Sequence, residues 1–236
     1  MPHDDPRPLN LWARSAAATV LLEDVFAWET YGKAALATSF GAESAVLLHL
    51  LAQVATDAPV LFVDTQMLFQ ETLDYQLELA AFLGFTNVQH IRADATQVRR
   101  EDTFGRLHVN NPDACCDLRK TKPLDAALEN YDIWVSGRKR HQSATRDTLE
   151  IFEHDGARLK LNPLADWGQE DIAAYFEKHR LPKHPLVKKG FLSIGCAACT
   201  TAVSAGENPR NGRWRGTEKT ECGIHIHNGK VSRPAA

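Results

Sequence analysis

The chain has 236 residues, of which 44 % are hydrophobic, and a formal net charge of −3. This length and composition predict one large domain, or one domain with an extension, around a core of ordinary size. The slightly acidic balance gives no overall electrostatic basis for binding nucleic acid or an anionic membrane surface.

The first segment, MPHDDPRPLNLWARS, is polar, acidic and interrupted by proline. A signal peptide would instead be basic and then apolar. No apolar run approaches the roughly 20 residues that span a bilayer. We therefore predict a cytoplasmic protein without a membrane partner, in which the five cysteines do not form a disulfide framework.

Residues 9–31 carry apolar side chains near helical spacing and predict one amphipathic helix. After it, short apolar runs alternate with helical patterns. Strands are predicted at 34–40, 59–65, 88–94 and the start of 132–140, and helices at 43–54, 69–83 and 117–130. This alternation predicts an α/β fold with a parallel sheet flanked by helices, in which ligands bind beyond the carboxyl ends of the strands.

Residues 148–164 predict a β-hairpin with an Asp-Gly turn, and residues 168–180 predict a helix with Asp166 as a candidate cap. From about residue 200 the chain is rich in Gly, Asn, Arg and Lys, with Trp214 as its one large aromatic residue. We predict a nucleotide-binding domain over residues 1–204 and a flexible C-terminal tail over residues 205–236.

In ATSFGAESAVLL a predicted strand passes through a glycine turn into a helix. A helix N-terminus offers free N–H groups and a partial positive charge to a phosphate. Ser39 and Ser44 would add hydroxyl donors, Gly41 would let the backbone approach a ligand, and Glu43 completes the candidate substrate-binding set in this turn. The pattern is neither G-x-G-x-x-G nor a Walker loop, so an ordinary tight turn is the alternative.

Four of the cysteines form two pairs, the adjacent Cys115 and Cys116 and the C-x-x-C of Cys196 and Cys199. Such pairs can be small hydrophobic residues, but four thiolates also bind zinc or an iron–sulfur cluster. Neighbouring side chains diverge by about 100° on a helix. That splay suits the separate irons of a [4Fe–4S] cluster better than one zinc ion, and we predict the cluster.

Basic residues occur in three groups that the predicted fold could bring to one site. The candidates are Lys120, which is four residues after Cys116, Arg138 and Arg146 beyond the fourth strand, and Arg210 and Arg213 in the C-terminal segment. A single such cation is usually a solvated surface residue. Three groups converging on one place indicate an anion-binding site, because arginine forks match phosphate and sulfate oxygens.

The motifs DACCDLRK, IGCAACT and the terminal ECGIH together resemble the iron–sulfur type of assimilatory adenylyl-sulfate (APS) reductase, in the PAPS/APS reductase family. The Ser39 loop resembles a variant of the pyrophosphate loop of the adenine nucleotide α-hydrolase-like superfamily, which implies a Rossmann-like fold. The resemblance extends from this loop to His225. It implies that the four paired cysteines hold a [4Fe–4S] cluster and that Cys222 is the nucleophile.

The resemblance also implies that Lys120, Arg210, Arg213 and His225 contact the phosphosulfate group. The expected reaction reduces APS to sulfite and AMP through an S-sulfocysteine, which thioredoxin or glutaredoxin resolves, in sulfate assimilation toward cysteine. The 3′-phosphorylated substrate PAPS is the alternative, and a homo-oligomer is compatible with the sequence. A mobile tail would let Cys222 meet first a buried sulfate and then a protein.

Two other functions are weighed against this one. An ATP-dependent iron–sulfur enzyme that thiolates tRNA would be expected to show a stronger SGGxDS loop and a basic face. A zinc-stabilised binding module would leave Cys222 and the arginines unexplained. One departure from the resemblance concerns DTQMLFQET (64–72), where Gln66 and Gln70 replace the usual Gly and Pro near the expected adenosine site.

Overall fold

The computed structural model describes residues 6–216, 219 and 221, together with the backbone of 226–227 and 230–231. Its main element is a sheet of six strands in the order β3-β2-β1-β4-β6-β5. The strands are β1 (Ala34–Thr38), β2 (Val60–Val63), β3 (Val88–Ile91), β4 (Ile133–Val135), β5 (Phe152–Asp155) and β6 (Arg158–Leu161). Neighbouring strands pair in parallel except β5, which runs antiparallel to β6 at one edge. The predicted α/β fold and the predicted hairpin are thus confirmed.

The helices of the described residues are α1 (Arg7–Ala13), α2 (Ala18–Leu22), α3 (Ser44–Ala52), α4 (Gln70–Leu83), α5 (Ala95–Glu101), α6 (Leu107–Asn110), α7 (Pro112–Cys116), α8 (Lys122–Leu128) and α9 (Gln169–His179). The helices predicted over 43–54, 69–83 and 117–130 correspond to α3, α4 and α8, whereas α5, α6 and α7 lie outside the predicted helices. A second, two-stranded sheet pairs β7 (Ile226–His227) with β8 (Lys230–Val231). Among the described residues, no helix combines the length and the apolar character needed to cross a membrane.

The single helix predicted over residues 9–31 is wrong. The segment forms α1, an extended residue at Ala17, α2 and a π-helical turn at Glu23–Ala27. At the break, the Ser15 hydroxyl donates to the carbonyl of Trp12, so a serine side chain competes with the helical backbone bonds. The helix over residues 168–180 is confirmed as α9, but its N-cap is Gly168 instead of Asp166.

Strand side chains alternate between two apolar layers, one on each face of the sheet. Leu36, Phe62 and Val135 point into the larger layer, which contains the buried residues of α2, α3 and α9. Ala35, Leu61 and Trp134 belong to the smaller layer, which α8 covers. Because both faces are covered, the loops at the carboxyl ends of β1, β2 and β4 are the open side of the sheet.

The first part of the predicted tail packs against this open side. Gly212 accepts hydrogen bonds from Thr201, Arg213 forms a β-bridge with Thr200, and the N–H of Trp214 donates to the carbonyl of Cys199 at 3.0 Å. Trp214 is buried. The predicted division at residue 204 therefore falls within a packed region that continues to Trp214.

Candidate active site

A cavity of about 230 Å³ opens at the carboxyl ends of β1 and β4. All nine predicted substrate-binding residues that the structure describes line it. They are Ser39, Gly41, Glu43, Ser44, Lys120, Arg138, Arg146, Arg210 and Arg213. The tenth, His225, lies outside the described residues, as does Cys222. The topology thus brings together four separate segments of the sequence.

The loop between β1 and α3 forms one wall of this cavity. Helix α3 begins at Ser44, and the N–H of Ser44 donates to the carbonyl of Gly41 at 3.1 Å. A Cβ atom at Gly41 would lie only 3.2 Å from the carbonyl oxygen of Ile194. Glycine at this position therefore allows the loop after β1 to approach the segment that leads into Cys196.

Glu43 and Lys139 join two loops across the cavity. The ammonium group of Lys139 lies 2.8 Å from Glu43 Oε2, and the amide of Gln142 donates to the same oxygen at 3.1 Å. Burial acts to raise the pKa of Glu43, but the charge and hydrogen bond of Lys139 outweigh it and lower that pKa below its ordinary value. Glu43 therefore favours its ionised form, and its contacts hold the loop after β1 against the loop after β4.

Three of the predicted substrate-binding arginines are engaged by carboxylates in this structure. Arg138 is buried and donates to Glu153 at 2.8 Å. Arg146 is also buried and forms an ion pair with Glu221 at 2.7 Å, and Arg210 forms a longer ion pair with Glu221 at 3.5 Å. Their role as direct substrate ligands stays a prediction, since each of the three charges already has a partner.

The four paired cysteines come from two different segments beside the cavity. Cys115 and Cys116 end α7, whereas Cys196 caps a single 3₁₀ turn that ends at Cys199, and none of the four is in a disulfide. Burial raises the pKa of Cys115 to about 11 against the opposing charge of Arg119, and the nearby Cys196 and Cys199 act in the same direction as burial. The two pairs are therefore close enough to interact electrostatically.

The surroundings of these thiols fit a bound iron–sulfur cluster by donor chemistry. The four thiols are the kind of donor that a [4Fe–4S] cluster takes, one per iron. The hydroxyl of Thr65 lies 3.1 Å from Cys196 Sγ, a contact typical of a second shell around a thiolate. In the part of the chain that the structure describes, no group of three or more His, Cys, Asp or Glu side chains is arranged to hold a metal ion.

Lys120 connects the cysteines with the cavity. It lies on a π-helical turn at Asp117–Thr121, directly after the helix that carries Cys115 and Cys116, and only 9 % of its surface is exposed. Burial raises the pKa of Cys199, a nearby Cys196 adds to the rise, and the charges of Arg213 and Lys120 oppose it. Single π turns within helices often occur at functional sites.

Several residues of this site were not identified from the sequence. No pattern in the sequence assigned a role to Lys139, Thr65 or Glu221. Glu221 carried a signal, because it is an acidic residue beside Cys222 in a segment that is otherwise rich in basic residues. Its partner Arg146 is 75 residues away in the sequence, so only the fold reveals the contact.

Comparisons with known proteins show which family this chain resembles. Residues 33–202 match the family described as Phosphoadenosine phosphosulfate reductase domain. The chain is 45 % identical over 226 residues to the adenosine 5'-phosphosulfate reductase of Mesorhizobium japonicum, covering 96 % of this chain and 85 % of that protein. It is 38 % identical over 220 residues to the phosphoadenosine 5'-phosphosulfate reductase of Gloeobacter violaceus, covering 91 % and 90 % respectively.

Among solved structures, the phosphoadenylyl-sulfate (PAPS) reductase from Candida auris in a phosphate complex superposes with a TM-score of 0.71. It covers 84 % of this chain and 97 % of that chain at 22 % sequence identity, which shows that the two proteins share a fold. The resemblance drawn from the motifs is confirmed by the family match and by the relatives. The chain belongs to the phosphoadenosine phosphosulfate reductase family.

Proposed function

We propose that this protein is an adenylyl-sulfate reductase that converts APS to sulfite and AMP in sulfate assimilation toward cysteine. One observation carries the proposal: the strand-end loop, the basic residues and Lys120 beside the paired cysteines all border one cavity. The relatives in Mesorhizobium japonicum and Gloeobacter violaceus, named for reductases of APS and PAPS, support the same reaction class.

The residues that line the cavity would bind the two ends of the substrate differently. The N-terminus of α3, with Gly41 and the hydroxyl groups of Ser39 and Ser44, would receive the phosphate of APS. Lys120, Arg210 and Arg213 would contact the sulfate, and His225 would join them. Cationic donors stabilise these oxygens, and they also favour a thiolate over a thiol at a neighbouring cysteine.

The proposed chemistry uses Cys222 as the nucleophile. Its thiolate attacks the sulfur of APS, so that a sulfur–sulfur bond forms and the sulfur–oxygen bond to AMP breaks, with the electron pair leaving on the phosphate oxygen. A thiolate of a reduced thioredoxin or glutaredoxin then attacks Cys222 Sγ and releases sulfite. The second thiol of the reductant frees Cys222, and the dithiol supplies the two electrons.

We also propose that Cys115, Cys116, Cys196 and Cys199 hold a [4Fe–4S] cluster. When bound, the cluster would supply a local charge beside Lys120, with two ligands from the end of α7 and two from the segment after residue 195. Lys120 would then hold its ammonium group between the cysteines and the substrate sulfate. The donor chemistry of the four cysteines, none of which is in a disulfide, and the effect of Cys196 and Cys199 on the pKa of Cys115 support this assignment.

Two variants of the iron-loaded protein test the two parts separately. Cys222→Ser should abolish sulfite formation from APS with thioredoxin and keep the brown absorbance of the cluster. Cys116→Ala should lose that absorbance. Continued turnover by the serine variant would show that Cys222 is not the nucleophile. Unchanged absorbance of the alanine variant, or a metal assay that finds zinc and no iron, would contradict the cluster.

The substrate is tested by comparing APS with PAPS in the same assay. We expect APS to give the higher kcat/KM, as an adenosine 5'-phosphosulfate reductase requires. A higher value for PAPS would assign the 3′-phosphorylated substrate to the same chemistry. Sulfur transfer to tRNA in the presence of ATP, without sulfite formation, would instead favour the thiolation enzyme.

A further inference from the structure

The carboxylate of Glu221 is buried in a site made entirely of donors. Glu221 is 3 % exposed, and Arg146 reaches it with a fork, Nε at 2.8 Å from Oε1 and Nη2 at 2.7 Å from Oε2. The hydroxyls of Ser143 and Thr145 donate to Oε1 at 2.8 and 3.0 Å. Arg210 adds an ion pair at 3.5 Å. A buried carboxylate with this many partners is a specific contact, unlike a surface ion pair.

The charge on Glu221 is well compensated. Burial acts to raise its pKa, but the hydrogen bonds and charge of Arg146 and the charge of Arg210 outweigh burial and lower the pKa to about 2. Arg146 is itself only 5 % exposed. If Glu221 and Arg146 separated, each would leave the other as a buried charge without its main partner. The contact therefore resists opening.

The same contact continues to the loop that would bind the nucleotide. Arg146 Nη1 donates to the amide oxygen of Gln142, and Gln142 Nε2 donates to Glu43 Oε2 at 3.1 Å. Lys139 pairs with the same Glu43 oxygen at 2.8 Å. An unbroken chain of hydrogen bonds therefore runs from the loop after β1 to the residue that precedes Cys222.

A second contact holds the same segment two residues earlier. Lys219 pairs with the carboxylate of Asp113 on α7, and its ammonium group lies 5.6 Å from the centre of the Trp214 ring. Residues 219 and 221 are thus attached to two different parts of the fold, α7 and the loop after β4. Cys222 follows Glu221 directly in the sequence.

We propose that Glu221 is a positioning residue: its carboxylate anchors the segment that carries Cys222 to Arg146, at the border of the nucleotide site. The inference rests on the proposed function for the role of Cys222. It also gives Arg146 a different task from that of Arg210 and Arg213, because the fork of Arg146 is occupied by protein. Arg146 acts on the reaction through Glu221.

The test compares Glu221→Gln with Glu207→Gln in the iron-loaded, full-length protein. Glu207 is a matched control, since it also lies in the C-terminal segment and also pairs with an arginine, Arg215, but at the surface. The first measurement is hydrogen–deuterium exchange of peptides that span residues 217–231, without substrate. We expect exchange to be at least about tenfold faster in Glu221→Gln and unchanged in Glu207→Gln.

The second measurement separates binding from turnover. We expect Glu221→Gln to lower kcat with APS by at least about tenfold while the Kd for AMP stays within about twofold of the wild-type value. Arg146→Gln should give the same pattern. The double variant should be no slower than either single variant, because both changes remove one contact. Glu221→Asp keeps the charge and should recover part of the lost kcat. It replaces Glu221→Gln in the test if the glutamine variant does not fold.

The outcomes distinguish this proposal from the proposed function. If the wild-type protein reduces APS while Glu221→Gln shows unchanged exchange and unchanged kcat, the anchor is overturned and the function stands. Additive losses in the double variant would also overturn it, because they would show two separate roles. If exchange responds as expected but the wild-type protein makes no sulfite from APS or PAPS, the anchor stands and the function fails.

Discussion

Lys139 Nζ lies 2.8 Å from Glu43 Oε2, and this contact joins residues that are 96 positions apart in the sequence. Only 3 % of the Lys139 side chain is exposed, whereas Glu43 keeps 29 % of its side chain open to the cavity. Glu43 also precedes the first residue of α3. The pair therefore sets the position of the helix N-terminus that would receive the phosphate.

Lys139→Met should weaken substrate binding more than it weakens the fold. The change removes a charge-assisted hydrogen bond that contributes about 1.5–3 kcal/mol, and Gln142 remains as the donor to Glu43. We expect KM for APS to rise roughly 10- to 100-fold, as that free energy requires. Steady-state sulfite formation measures it.

Lys189→Met is the control for this change. Lys189 also pairs with a glutamate, Glu71 at 3.0 Å, but 57 % of its side chain is exposed. Exposed ion pairs contribute about 0–1 kcal/mol to stability, so KM for APS should change by less than about threefold in this variant. An equal rise of KM in both variants would show that the Lys139 pair has no special relation to the site.

Much of the architecture followed from local patterns in the sequence. The runs ending at Thr38, Val63 and Val135 are apolar on both sides, as strands buried on both faces of a parallel sheet must be. Parallel strands place their carboxyl ends at one edge. Hence residues of the loops after β1 and β4 could be assigned to one cavity before their contacts were known.

The pairing of charges could not be obtained in this way. Arg138 and Arg146 looked equivalent to Arg213 in the sequence, since all three are basic residues in loops. The fold places Glu153 beside one and Glu221 beside another. Which carboxylate meets which arginine depends on loop paths and not on local periodicity, so the sequence indicated an anion site but not its internal partners.

Gln66→Gly should stabilise the protein. Gln66 has φ of +61°, in the left-handed region that costs a residue with a side chain about 1–2 kcal/mol. Glycine removes this strain but gains more entropy in the unfolded chain, so the net gain should be about 0.5–1 kcal/mol. For a chain of this size the thermal midpoint should rise by about 1–4 °C.

The backbone conformation at residue 66 bears on one departure from the family pattern, the Gln66 that replaces the usual glycine. The backbone at residue 66 keeps the conformation that the usual glycine favours, and its N–H donates to Asp64 Oδ1 at 2.9 Å. Gln97→Gly is the control, since Gln97 lies within α5, where glycine should instead lower stability by about 1 kcal/mol. A lower thermal midpoint for Gln66→Gly would contradict the prediction. It would show that contacts of the glutamine side chain stabilise the fold by more than the backbone strain destabilises it.

Gly195→Ala should displace Arg213 and leave the fold largely intact. A Cβ atom at Gly195 would overlap the guanidinium group of Arg213, which is the movable end of a long side chain. Arg213 stacks on Trp214 at 4.5 Å and lines the cavity. We expect the variant to raise KM for APS about as much as Arg213→Ala does, with unchanged iron content. A normal KM would mean that Arg213 finds an equivalent position or does not bind substrate.

The burial of Lys160 should make the stability of the protein depend on pH. It is 4 % exposed, its ammonium group lies 4.4 Å from the centre of the Trp134 ring, and burial lowers its pKa to about 7. Below pH 7 the residue is charged in both the folded and the unfolded state, so the cost of burying the charge is fully present. As the pH rises from about 7 toward the ordinary lysine value of about 10.4, only the folded state has lost the proton, and stability increases.

Lys160→Met should remove this dependence, because methionine fills a similar volume without a charge. The two acidic residues near Lys160 keep other partners in this variant. Asp155 accepts hydrogen bonds from Trp134 and Arg158, and Glu153 accepts one from Arg138. The variant should therefore be more stable than the wild type at pH 6, by up to about 3–5 kcal/mol, and this advantage should shrink as the pH approaches 10. Thermal midpoints measured from pH 6 to 10 test this prediction. Lys183→Met, a change at an exposed lysine, is the control. Parallel curves of thermal midpoint against pH for Lys160→Met and the wild type would contradict the prediction.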